Sequence, residues 1–228
     1  VSVSLLVFPP TNGKKDQGEM KNTAHAVASV PVNLDDVVLD AEGLVNEKQF
    51  QSLTIGARIP KDYFVTSGVG ECDITVHAGS FHLALRDAGI ERYNIMTYSS
   101  IMPGIARQIP KPKDLVHGCV LETIMACASM EKGVRATAGI IYGWLYNRKT
   151  RQRYGGLVCE YNGSLTAQEA GDQLHASLQT LYKNGFEEEY ELRDEKLTTQ
   201  SFIPKKKYGT ALVAICFSNY IYPVLSVR

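Results

Sequence analysis

From residue 62 onward the apolar residues fall in short runs rich in Val, Ile, Tyr and Thr, broken by Gly, Pro and Asn. That punctuation predicts strands, at residues 63–66, 93–98, 116–126, 135–146, 157–161, 190–197 and 210–220. The first is expected to run into a tight turn at Ser67, Gly68, Val69 and Gly70. Two stretches carry a helical pattern instead. Residues 79–87 read as a short helix ended at Gly89. Thr166 and Glu169 form a capping box, after which Ala167, Ala170, Leu174, Leu178 and Leu181 recur on one face until Asn184 and Gly185 stop the helix. Many strands and few long helices predict an α+β domain in which sheets cover one another and helices cover the outer faces.

Residues 1–58 differ. Their apolar patches are short and a loop-like run follows Pro9 and Pro10, so a poorly ordered N-terminal extension or arm is expected there. Met20 is a candidate translation start, and residues 45–56 read as a short helix or an arm laid on a neighbouring subunit. The opening apolar run lacks a basic leader and is stopped by Pro9, and no stretch approaches the roughly 18 apolar residues that span a bilayer. No membrane partner and a cytoplasmic location are expected.

Composition narrows the function classes. The 228 residues are 44% hydrophobic and 21% charged, which is ordinary globular usage. Lys plus Arg and Asp plus Glu both number 24, so no basic footprint for nucleic acid exists and a small-molecule partner is the better expectation. The five cysteines contain no CxxC pair, and His77, His82 and His117 lack ligand spacing, so no metal site is expected. Gly68, Val69 and Gly70 lack the third glycine of a dinucleotide fingerprint. Tyr142, Trp144 and Tyr146 alternate as sheet-core or subunit-contact residues, and Lys205, Lys206 and Lys207 form a solvated loop.

The chemistry centres on Tyr98, Ser99, Ser100, Ile101, Met102 and Pro103. A Ser-Ser pair at a strand end, before Pro103 and a glycine, can place the Ser100 hydroxyl against the Ser99 carbonyl, which permits self-cleavage. By spacing alone, two turn hydroxyls bonding nearby backbone explain the pair as well. Asn94 lies on the same predicted strand, with even spacing to Ser100. Glu160 sits among Leu157, Val158, Cys159 and Tyr161, where alternation alone would face it outward.

Taken together, Ala88-Gly89-Ile90, Asn94-Ile95, Ser99 to Pro103 and Gly155 to Gly163 resemble the pyruvoyl-dependent arginine decarboxylases. The run from His117 to Ala126 is similar to the bacterial branch of that family, and the resemblance extends over about residues 59–220. It implies a four-layer αββα sandwich over residues 59–228, assembled as a homotrimer or dimer of trimers. It also implies cleavage between Ser99 and Ser100, leaving a covalent pyruvoyl group at position 100. On that group a Schiff base with L-arginine would lead to agmatine and CO2. Glu160 would be the proton donor, and Asn94 would act near the scissile region or the Schiff base of a neighbouring subunit. The guanidinium calls for a carboxylate, and Asp73 and Glu71 are the candidates near the reactive pair in sequence. Relatives carry an aspartate where this chain has His82. That difference leaves ornithine, lysine or histidine as alternative substrates, and a non-cleaving trimeric sensor as an alternative class.

Overall fold

The computed structural model describes residues 53–113 and 115–227. In chain order the elements begin with β1 (Leu53–Ile55), β2 (Ile59–Pro60), β3 (Asp62–Cys72), α1 (His82–Asp87), β4 (Asn94–Thr97), β5 (Ile101–Pro103) and β6 (Arg107–Gln108). They continue with β7 (Val120–Glu131), β8 (Ala136–Asn147), β9 (Arg153–Gly163), α2 (Ala167–Lys183), β10 (Tyr190–Phe202), β11 (Tyr208–Phe217), β12 (Tyr220–Ile221) and β13 (Val224–Val227). The chain divides into two units, residues 1–58 with 221–228 and residues 59–220. In the first, β1 and β13 pair antiparallel, so Leu53 to Ile55 form a strand where a helix or arm was expected. Residues 1–52 of the predicted N-terminal arm, with Met20, lie outside the described residues.

The second unit is mixed α+β. One sheet has five strands in the order β4-β7-β11-β3-β6, and another has four in the order β10-β8-β9-β5. Burial explains the pairing. Every residue of β11 from Gly209 to Phe217 is buried, as suits a central strand flanked by β3 and β7. Three apolar clusters hold the sheets. Tyr63, Ile124, Val213 and Phe217 of the five-stranded sheet share one with Ile140, Tyr142, Trp144 and Val158 of the four-stranded sheet. Phe64, Leu121 and Leu212 pack with Ala84, Leu85 and Ala88 around α1. Ile141, Leu145 and Leu157 pack with Leu174 and Leu178 of α2.

Strands β3, β7, β9 and β10 run longer than their apolar cores suggested, whereas β4 and β11 are shorter than expected and β8 keeps its expected length. The capping box at Thr166 and Glu169 is present, and Ala170, Leu174 and Leu178 are the buried stripe of α2, with Leu181 and Ala167 outside it. The predicted turn at Gly68 to Gly70 is instead strand, because α1 lies directly on it. A Cβ at Gly68 would sit 2.3 Å from the Ala84 carbonyl oxygen, and one at Gly70 would sit 2.3 Å from that of Ser80. The glycines thus admit a helix backbone, and the predicted helix there begins as a π-type turn at Val76–Phe81 before α1.

Buried Asp62 anchors the start of β3. Arg107 of β6 donates to its carboxylate, and Asn219 adds a second side-chain donor. The Arg107 hydrogen bond, opposed by burial and aided by Asn219, holds the Asp62 carboxyl below its ordinary value. A depressed folded pKa means the stabilisation is complete above the unfolded value of about 3.9 and is lost as pH falls through the folded value. Asp62→Asn is therefore expected to lower the urea midpoint at pH 7, with the gap from the parent protein closing below about pH 4. An equal gap at pH 3 and pH 7 would contradict the assignment.

Candidate active site

Ser99 and Ser100 lie where the chain leaves one sheet for the other. Asn94 to Thr97 pair in parallel with Val120 to Thr123 of the five-stranded sheet, and the Tyr98 N–H extends that contact to the Thr123 carbonyl at 2.7 Å. Ile101 to Pro103 already pair with Leu157 to Gly155 of the four-stranded sheet, and the Val158 N–H donates to the Ser100 carbonyl at 3.1 Å. Between them the Ile101 N–H donates back to the Ser99 carbonyl oxygen at 2.9 Å, closing a three-residue turn centred on Ser100. That donor polarises the carbonyl that self-cleavage would attack.

The Ser100 hydroxyl points at Glu160, 2.6 Å from Oε1 and 2.8 Å from Oε2. Glu160 shares a face of β9 with Val158, a member of the cluster between the sheets, whereas Leu157, Cys159 and Tyr161 pack on the α2 side. The half-buried carboxylate thus turns inward, contrary to what alternation alone suggested, because α2 covers the face of β9 that carries Leu157, Cys159 and Tyr161 and leaves Glu160 on the face toward the other sheet. A hydroxyl donating to a carboxylate at this distance has the geometry of nucleophile and general base. Burial first, and Glu160 second, push the Cys159 thiol up, so the neighbouring cysteine stays protonated. The chain just after β5 is braced by Arg153, which lies 4.1 Å over the Trp144 ring and donates to the carbonyls of Gly104 and Ala106 at 2.7 and 2.6 Å.

The other predicted site residues are not gathered here within one chain. Asn94 donates its side-chain amide to the Gly118 carbonyl at 2.7 Å, a loop contact at the start of β4. Glu71 accepts from the backbone N–H groups of Lys205 and Lys206, and Asp73 from that of Lys207, through Oε2 and Oδ1. Both acids stand at the far end of β3. Thr123 and Phe64 are level across β11, and Glu71 is seven residues further along, roughly 23 Å at about 3.3 Å each. His82 is exposed, in a depression with Thr75, His77, Phe81 and Leu85.

Residues 62–222 match the family model for pyruvoyl-dependent arginine decarboxylase. The chain belongs to this family. Pyruvoyl-dependent arginine decarboxylase 1 of Archaeoglobus fulgidus is 33% identical over 133 residues, covering 57% of this chain and 81% of that protein. The AaxB protein of Chlamydia abortus, named as a pyruvoyl-dependent arginine decarboxylase, is 31% identical over 184 residues, covering 72% and 94%. The Thermoplasma volcanium pyruvoyl-dependent arginine decarboxylase is 30% identical over 154 residues, covering 62% and 83%.

Within this pyruvoyl-dependent decarboxylase, sequence reasoning passed over Glu122. It is 2% exposed and accepts a hydrogen bond from the Tyr98 hydroxyl, next to the reactive pair. The signal was present, since Glu122 is a lone carboxylate in an apolar strand just as Glu160 is. Among the described residues no helix is long and apolar enough to cross a membrane.

Proposed function

We propose that this chain cleaves itself between Ser99 and Ser100 and that the processed protein converts L-arginine to agmatine and CO2. The observation that carries the reading is the Ser100 hydroxyl held on Glu160 while the Ser99 carbonyl is held by the Ile101 N–H. Ser100 Oγ bonds to the Ser99 carbonyl carbon as its proton passes to Glu160. The Ser99–Ser100 C–N bond breaks, and the freed nitrogen takes up a proton. The ester so formed loses the Cα proton of residue 100 together with the Cβ–Oγ bond, releasing Ser99 as a carboxylate. The elimination leaves an enamine at residue 100, a proton moves from its nitrogen to Cβ to give the imine, water then replaces the nitrogen, ammonia leaves, and a pyruvoyl group remains. Its formation is intramolecular, where well-oriented groups reach effective molarities of about 10⁵ M or more.

The residues present fit that group, since its precursor hydroxyl and a proton-handling carboxyl are already in contact. Once formed, the pyruvoyl carbonyl supplies the electron sink that decarboxylation needs. Glu160 remains beside position 100 and delivers a proton to the substrate carbon that CO2 leaves. Asn94 fits a supporting role only if its Gly118 contact exchanges for one at the reacting centre.

The wider arrangement follows from the same reading. The three clusters, with α1 on one outer face and α2 on the other, support a four-layer αββα sandwich for the decarboxylase domain. The distance between Ser100 and the acids Glu71 and Asp73 supports a site completed by a second copy, as a trimer or dimer of trimers provides. The five free cysteines suit a reducing, cytoplasmic compartment.

Denaturing electrophoresis and intact mass of the purified protein are expected to give a fragment ending at Ser99 and one starting at position 100 with a blocked pyruvoyl terminus. Ser100→Ala should give one uncut, inactive chain. A free amine at position 100 in the wild-type fragment would sink the pyruvoyl claim. Because Glu160 touches the attacking hydroxyl, Glu160→Gln is expected to slow both processing and the turnover of processed protein. General acid–base catalysis is worth about 10² to 10⁴-fold, and wild-type rates for both would exclude the role.

Arginine should be preferred over ornithine, lysine and histidine by more than about 10²-fold in kcat/KM, because an unmatched cation leaves a carboxylate unpaired. Asp73→Asn or Glu71→Gln should lower that ratio without blocking cleavage. Co-expression of either with Ser100→Ala should restore activity if copies share sites. Preference for another substrate would make His82 the deciding residue.

A further inference from the structure

We propose that Glu122, acting through the Tyr98 hydroxyl, is a positioning residue for self-cleavage; the inference rests on the processing reading above. Tyr98 precedes Ser99, whose carbonyl the cleavage attacks, and is fixed by three contacts. Its N–H bonds Thr123, its ring lies 5.7 Å from that of Phe217 at 38°, and its hydroxyl donates to Glu122. On the other side Val158 and the β5–β9 ladder hold Ser100 and Ile101. Ser99 itself is exposed, so its carbonyl takes its direction from these two anchors.

Packing alone does not account for Glu122. Phe217 and the apolar cluster would hold an aromatic ring at position 98 without any carboxylate, and burying one is costly unless it is hydrogen-bonded. What the Tyr98–Glu122 bond adds is direction. It fixes the ring, and with it the backbone of residue 98, against β7, so the Ser99 carbonyl is presented to Ser100 Oγ instead of turning toward solvent. Attack on a carbonyl is sensitive to such placement, where an error of about 1 Å can cost about 10²-fold.

The test follows conversion of the freshly translated full chain into its two fragments by denaturing electrophoresis, with and without hydroxylamine, which cleaves the ester left by the first step. Tyr98→Phe, which keeps the ring packing, and Glu122→Ala should each slow cleavage at least about 10-fold, in hydroxylamine as well, locating the defect in the attack step. Glu122→Gln retains an acceptor oxygen and should recover to within about threefold of the wild type, and the double variant should be no slower than the slower single one. Circular dichroism and thermal unfolding of Tyr98→Phe report its folding, so that variant decides if Glu122→Ala does not fold. A cleaving wild type with a wild-type rate in Tyr98→Phe overturns the inference, as does a Glu122→Gln as slow as Glu122→Ala. An uncut wild type overturns the processing reading instead.

Discussion

Two residues, and so three Cα–Cα steps, separate Tyr98, bonded to the five-stranded sheet, from Ile101, paired in the four-stranded sheet. Fully extended they span at most about 11 Å, so the link between two sheets that share a buried cluster has little slack. Its conformation is dictated by its ends, and both ends lie in hydrogen-bonded ladders. A surface loop of the same sequence would sample many carbonyl directions. Here the Ser99 carbonyl is bonded to the Ile101 N–H and the Ser100 hydroxyl to Glu160, so the two groups that the proposed cleavage would join are fixed by the fold that surrounds them.

Local signals were legible where the structure they specify is local. The capping box, the apolar stripe and the Asn184 stop delimit α2 because each acts within a turn or two of the helix. Gly68 and Gly70 misled because a glycine that makes a turn and one that admits a helix backbone look alike in sequence. Only the approach of Ser80 and Ala84 separates the cases. Strand ends were short for a related reason, since ladder pairing carries β7, β9 and β10 past their apolar cores.

The site shows the same division. Ser100 and Glu160 could each be singled out, but their contact spans 60 positions and arises from the β5–β9 ladder. For the guanidinium, nearness in sequence pointed to Glu71 and Asp73, which a straight strand carries to the opposite end of the sheet. There they hold backbone N–H groups of Lys205, Lys206 and Lys207. Glu122 escaped notice because its meaning depends on Tyr98, a strand neighbour reached through β4–β7 pairing.

Two inward carboxylates flank one serine pair, and they differ in what they touch. Glu160 meets the hydroxyl that would lose a proton in the proposed cleavage, so its contact would bear on bond making. Glu122 meets the tyrosine that precedes the carbonyl, so its contact bears on where that carbonyl points. Removing a proton acceptor and loosening an anchor would both slow the proposed cleavage, yet only the second should be rescued by a neutral amide, because a hydrogen-bond acceptor suffices to orient Tyr98 whereas proton transfer needs a carboxylate. The Gln variants at positions 160 and 122 therefore distinguish chemistry from placement at a single peptide bond.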